Sequence, residues 1–260
     1  MTGPGISFGG LRRRRPPALV DPATKNLTLY LAQRGDALDY TTATGTWTGR
    51  PSAGPSGGRN LTQPTAGSRP AVSPTVDGKA LVRKVFADGK AFAALSAVST
   101  YWDAGAAAAV ILVRMSAPLN SNYGVGSGYP TPAIANDAAA YQGIGMGRSV
   151  SDPSKVRAGI GRYDGGWKVA ATDNIASGVL VALCMRHAGG QLQFAVNAAP
   201  GPSNQVACGN AQNMASALNL ITSTSIEADF ASAYLAKSLS DTDFADILAW
   251  EHAQFPTGFP

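Results

Sequence analysis

The run Val179-Leu-Val-Ala-Leu-Cys-Met-Arg-His187 is apolar at nearly every position up to Met185. A strand of that kind needs cover on both faces, so it is predicted to lie inside a sheet. After Ala188-Gly-Gly190, the run Gln191-Leu-Gln-Phe-Ala-Val-Asn197 alternates: Leu192, Phe194 and Val196 fall on one face, Gln191, Gln193 and Asn197 on the other. Two such runs joined by a Gly-Gly loop predict a hairpin, because glycine adopts the positive φ that tight hairpin turns need.

The same patterns recur along the chain. Leu27, Leu29 and Leu31 alternate with polar or amphipathic neighbours, so the folded part is predicted to open with a strand. Residues 34–74 are rich in Gly, Thr, Ser and Pro and are expected to be loop, with Trp47 and Leu61 as anchors. A strand is predicted over 79–86. Another, apolar on both faces up to Val113, covers 108–115 and should share a core with 179–187. From Pro118 to Gly147 glycine returns, along with Tyr123, Tyr129 and Tyr141, and the segments Gly124-Val-Gly-Ser-Gly128 and Gly143-Ile-Gly-Met-Gly147 are expected to be turns or bulges. Asp164-Gly-Gly166 marks a second hairpin between 158–163 and 167–171. Residues 226–235 read as a strand. Ser240-Asp-Thr-Asp243 then supplies an N-cap and an acidic first turn for a helix, with Phe244, Ile247, Leu248 and Glu251 at helical spacing and a stop before Pro256.

Composition agrees with a mostly β chain. With 30 Gly, 17 Pro and only 14% charged residues in 260, short strands joined by turns are favoured over a helical bundle, and 45% hydrophobic residues suffice for a large core. The formal net charge of +5 is concentrated: Arg12 to Arg15 contribute four of the cations. Gly, Pro and those arginines cannot bury an apolar face, so residues 1–24 are expected to form an extended arm and 25–260 the folded domain. The first ten residues lack the apolar core of a secretory signal, and no run approaches the roughly 20 apolar residues that cross a bilayer. Synthesis in the cytosol with no membrane association is therefore expected, and with it two free thiols at Cys184 and Cys208.

The order of these pieces carries a resemblance. Asn60-Leu-Thr-Gln-Pro-Thr-Ala-Gly-Ser-Arg-Pro70, Asp77-Gly-Lys-Ala-Leu-Val-Arg83, the strand 110–115, the hairpin ending Phe194-Ala-Val-Asn197, and the closing Phe230-Ala-Ser-Ala-Tyr-Leu-Ala-Lys-Ser-Leu-Ser-Asp-Thr-Asp-Phe244 together resemble the concanavalin A-like lectin and glucanase superfamily. In particular the chain looks like the laminin-G-type domains found in bacteriophage structural proteins. The resemblance spans about residues 26–255. It implies an all-β fold: a jelly-roll sandwich of two antiparallel sheets, here with an extended N-terminal arm and one short C-terminal helix. It also implies a role in carbohydrate binding or assembly.

Sugars stack on exposed rings and hydrogen-bond to polar side chains, so Tyr101, Trp102, Asp103, Tyr123, Tyr129, Tyr163 and Trp167 are the candidate contacts, with the loop tyrosines preferred; the same aromatics can instead plug the core. Glu227 and Asp229 have the i, i+2 spacing of a retaining glycosidase pair, whose carboxyls stand about 5 to 5.5 Å apart. The superfamily's enzymes carry Glu-x-Asp-x-x-Glu, however, and position 232 is Ser, so no catalytic residue is expected. His187 and His252 match no metal-ligand or triad pattern, and neither a metal nor a cofactor is expected. Arg12, Arg13, Arg14 and Arg15 are assigned to docking on a neighbouring subunit. Nucleic acid is not the expected partner, because the rest of the chain is close to neutral. The resulting expectation is a non-enzymatic virion protein, such as a capsid decoration, spike or tail-fibre component. It would dock on other virion proteins through its arm and display a lectin-like domain, in homo-oligomeric or multivalent form, to a host-surface glycan. The alternatives are a free lectin module or, third, a glycan hydrolase.

Overall fold

A computed structural model of the chain describes residues 18–50, 60–84, 98–115, 134–135, 144–148, 155–162, 166–174, 178–211, 219–220 and 228–260. In chain order its strands are β1 (Leu29–Ala32), β2 (Thr46–Trp47), β3 (Leu61–Thr62), β4 (Ala71–Val76), β5 (Lys79–Lys84), β6 (Ala107–Met115), β7 (Ile134–Ala135), β8 (Ile144–Arg148), β9 (Lys155–Arg162), β10 (Gly166–Asn174), β11 (Leu180–Ala188), β12 (Gln191–Val196), β13 (Gln205–Ala207), β14 (Asn219–Leu220) and β15 (Ala228–Ala236). A single described α-helix, α1 (Asp241–Gln254), follows them.

The two doubly apolar runs become neighbouring central strands. The main antiparallel sheet runs β13-β12-β11-β6-β15-β5-β4, and β1 is its eighth strand, also paired with β15. β6 and β11 pair from Ala107↔His187 to Arg114↔Leu180. Along β6, Ala109, Ile111 and Val113 enter one core while Ala108, Val110 and Leu112 enter the other, so burial on both faces is what the unbroken apolar run encodes. Each branched side chain fully removed from water there contributes about 1.5–3 kcal/mol before the entropy of ordering is set against it.

Each face of the main sheet has its own cover. On one side lies the second antiparallel sheet, ordered β10-β9-β8-β7-β14. Its strands β9 and β10 lie against β12, and its Met146 and Ala158 join the core of Ile111, Leu183 and Phe194. Trp47 and Leu61 complete that core and pair directly as β2–β3, so the two predicted anchors of the long loop hold each other. On the opposite side α1 inserts Phe244 and Ile247, joined by Phe255, against Val110, Leu112, Ala182 and Tyr234. The helix begins as its sequence predicts: Ser240 accepts from the Asp243 amide and Asp243 returns a bond to the Ser240 amide, a complete capping box.

β15 changes partner partway along its length. Ala228 to Phe230 pair with β5, and Ser232 to Leu235 pair with β1 on the same edge. The bulge between Phe230 and Ser232 marks the changeover, where the Gln33 amide bonds to the Ala231 carbonyl at 2.8 Å.

Three expectations need correction. Residues 144–147 are not a turn, because Ile144 to Arg148 form β8; Ile144 and Met146 alternate with glycines, and Gly145 faces Gly159 across the ladder. The 34–74 loop ends early: β4 and β5 form a hairpin over Asp77-Gly78, both at positive φ, as an Asp-Gly primed turn requires. The first strand starts at Leu29 rather than at Leu27, and Tyr30 is as buried as its leucine neighbours because it stacks on Tyr234, ring centroids 4.6 Å apart. Cys184 and Cys208 are both buried.

Candidate functional site

Tyr101, Trp102 and Asp103 lead into β6 at one end of the main sheet. Tyr101 and Trp102 are 1% and 0% exposed and belong to the core beside Ile111 and Leu235. The Trp102 indole N–H donates to the Ala108 carbonyl at 3.1 Å, and the Tyr101 carbonyl accepts from the Thr28 hydroxyl at 3.0 Å. With no ring face open to solvent, neither can serve as a stacking platform for a sugar, and both leave the candidate set. The segment turns its aromatics inward because Asp103 and Ala106 exchange backbone bonds in a tight bridge that points the chain straight into β6.

Asp103 alone of the three reaches solvent, where its carboxylate lies 2.9 Å from Lys237 Nζ, both side chains being about half exposed. Two further loops meet at this end. The Ala211 amide bonds to the Ala104 carbonyl at 2.7 Å and the Cys208 amide to the Gly190 carbonyl at 2.8 Å, while the Asn210 side chain lies against Gly105. His187 Nε2 lies 2.8 Å from the Gly209 carbonyl, which makes Nε2 the protonated nitrogen and leaves buried Nδ1 without a partner. Burial lowers the pKa of His187, and the bond to the carbonyl offsets this only in part. The imidazole therefore acts as a neutral brace for the loop. Asp103, Lys237 and exposed Asn210 make a polar rim at this end of the sheet.

Lys237 and Asn210 carried no signal in the sequence. Their place at the rim follows from long-range pairing, Ala236↔Ala108 for the one and the Ala211–Ala104 bond for the other.

Tyr123, Tyr129 and Tyr163 lie outside the described residues, as do Arg12 to Arg15 and Glu227. Trp167 occupies β10 opposite Gly161. The chain that carries Tyr123 and Tyr129 leaves β6 at Met115, about 27 Å along the strand from Ala107 and hence at the opposite end of the sheet from Asp103.

Asp229 lies toward that second end. Arg83 on β5, Asp229 on β15 and Arg114 on β6 form one cross-strand row. Arg114 donates from both Nε and Nη2 to Asp229 Oδ2, at 3.1 and 2.9 Å, and Arg83 Nε lies 3.8 Å from Oδ1. A largely buried carboxylate held this way joins three strands electrostatically. Among the described residues, no three His, Cys, Asp or Glu side chains gather as a metal would require, and no described helix is long and apolar enough to cross a membrane.

The chain matches no protein-family model and no curated protein sequence. It is similar in structure to Trypanosoma rangeli sialidase. Against that enzyme's covalent intermediate with 2,3-difluorosialic acid, the TM-score is 0.55 at 8% identity, covering 88% of this chain and 34% of the sialidase. Against its complex with sialic acid the TM-score is 0.53 at 7% identity, covering 88% and 33%. The binding domain of Botulinum neurotoxin DC, in complex with rat synaptotagmin II, gives a TM-score of 0.49 at 8% identity over 86% of this chain and 51% of that one. This chain thus spans about half the length of the neurotoxin domain and a third of the sialidase. At these identities the sialidase likeness is one of fold: a mostly β chain built on packed antiparallel sheets.

Proposed function

We propose that this chain is a non-enzymatic, lectin-like jelly-roll module that binds carbohydrate through its loops and is carried on a virion by its N-terminal arm. The observation that carries the binding half is the double cover of the main sheet. Its two faces are filled by the second sheet and by α1, so recognition falls to the connecting segments, where the sequence places Tyr123 and Tyr129 in a glycine-rich stretch and Tyr163 beside a hairpin turn. The sialidase whose fold it resembles has been solved in complex with sialic acid, which favours a sugar as the ligand class. The non-enzymatic half is supported by Asp229, whose carboxylate is engaged by Arg114 with Arg83 beside it, an arrangement suited to structure. The virion half rests on the resemblance to phage laminin-G-type domains and on the basic, proline-rich arm of residues 1–24, with other virion proteins as its dock.

A glycan array probed with the full chain tests the first half. Selective binding is expected, and a folded protein that binds no glycan refutes it. Deleting residues 1–24 tests the second half. Particles are expected to lose the truncated protein, and a normal load of it overturns the anchor. Turnover of a polysaccharide that vanishes on Glu227→Gln overturns the non-enzymatic reading.

A further inference from the structure

Glu251 lies on the face of α1 that meets the main sheet and is only 1% exposed. The Tyr234 hydroxyl, from β15, donates to its Oε1. Tyr234 stacks on Tyr30 of β1, and the Arg34 guanidinium is held between the rings of Tyr30 and Trp250, 4.9 and 4.8 Å from their centroids. The charged and titratable groups around the carboxyl are thus Tyr234 from β15, Tyr30 from β1, Arg34 just beyond β1 and Lys79 at the start of β5. Ser232 also lies beside it.

None of these neighbours neutralises Glu251 fully. Arg34 makes no hydrogen bond through Nε or Nη2, and Nη2 lies 3.8 Å from Asp21. The Lys79 ammonium donates a hydrogen bond to the Gln254 carbonyl at 2.8 Å and rests over the Phe255 ring. The Tyr30 hydroxyl is buried without a partner. An ionised carboxylate in this seam loses its hydration and recovers it only in part, which opposes the docking of α1.

We propose that Glu251 is a proton-controlled latch between α1 and the main sheet: protonated, it holds the helix and the C-terminal tail down, and ionised, it loosens them. Burial raises the Glu251 pKa above its ordinary 4.5, and the bond from Tyr234 offsets part of that rise. A raised folded-state pKa means that the helix-docked form binds the proton more tightly than the open form. The latch is therefore fully closed below pH 4.5 and releases as pH rises through the folded value. Between those two values a one-proton linkage changes the opening equilibrium up to tenfold per pH unit.

The test is amide hydrogen exchange of the full chain from pH 4.5 to 8, expressed as protection factors after division by the intrinsic rate at each pH. The ratio of α1 protection in the native chain to that in Glu251→Gln is expected to fall with rising pH, at up to tenfold per unit. Tyr234→Phe keeps the acid but removes a bond that holds its pKa down, so the fall extends to higher pH. A ratio constant across the range, or an α1 profile in Glu251→Gln that keeps the native slope, overturns the latch. If Glu251→Gln does not fold, the Tyr234→Phe profile decides alone: an unshifted profile overturns the proposal.

Discussion

Replacing Trp102 separates a core residue from a ligand platform. Its side chain is wholly buried, packs in the core that contains Ile111 and Leu235, and donates its indole N–H to the Ala108 carbonyl. Removing a buried tryptophan to alanine costs about 3–5 kcal/mol through lost transfer energy and the cavity left behind. That is a large share of the roughly 5–15 kcal/mol that holds a typical domain together. Trp102→Phe is the more informative variant. It keeps most of the apolar volume and loses the hydrogen bond, worth about 1 kcal/mol net, together with a partial cavity. A loss of about 1–3 kcal/mol is expected, and for a chain of this size each kcal/mol lowers the melting temperature by about 2–4 °C. The assay is urea denaturation followed by far-ultraviolet circular dichroism, run beside glycan binding on the folded protein. Stability falls while binding by the folded fraction stays at the native level. Native stability within about 0.5 kcal/mol, combined with lost binding, would refute the buried assignment.

Gly45→Ala is expected to destabilise by about 2 kcal/mol or more. Its φ of +67° disfavours a side chain, and an added Cβ would lie 2.3 Å from Arg69 Nε and 2.4 Å from the Gln63 carbonyl. Because Arg69 also holds the carbonyls of Thr42, Ala43 and Pro64, proteolysis over residues 34–70 should accelerate, and an unchanged rate argues against this clasp. Asp77→Gly keeps the left-handed turn but removes the carboxylate that accepts from the Thr257 amide and hydroxyl and from the Gly258 amide. Faster amide exchange at Thr257 to Phe259, with the main sheet unaffected, is the expected result. His187 carries a lowered pKa, so the stability it contributes is complete above about pH 6.5 and is lost as pH falls toward its folded value. His187→Gln should flatten that acid-side loss in urea midpoints compared with the native chain, and an unchanged slope would show that the imidazole titrates freely.

The legible parts of the fold were those written in local pattern. β6 and β11 announce themselves by apolar runs too long for a one-faced strand, and the turn between β11 and β12 by Gly189 and Gly190, both at positive φ. α1 was set by Ser240 and Asp243 at its start and Pro256 after its end. β4 escaped because Pro74 reads as a strand breaker, yet it stands on a sheet edge at a register shift, where a missing N–H costs no ladder bond. β8 escaped because alternate glycines, read as turn residues, leave only Ile144 and Met146 to show the period of two.

At the candidate site the limits were of another kind. Sequence composition cannot say which way a ring points. Tyr101 and Trp102 are placed by the Asp103–Ala106 bridge and by the strand that follows, which pull them inward while Asp103 stays out. Glu251 stood out in the sequence only as a polar residue on the apolar stripe of α1. Its importance depends on Tyr234, Tyr30 and Arg34, which the sheet brings together from distant parts of the chain.

The most direct measurement is the affinity of the strongest array glycan for the native chain, for Trp102→Phe, and for alanine variants of Tyr123, Tyr129 and Tyr163, each checked for folding. Trp102→Phe is expected to bind as the native chain does, and at least one of the three alanine variants to lose tenfold or more. Native affinity in all three, or lost affinity confined to folded Trp102→Phe, would contradict the claim that the connecting segments hold the sugar.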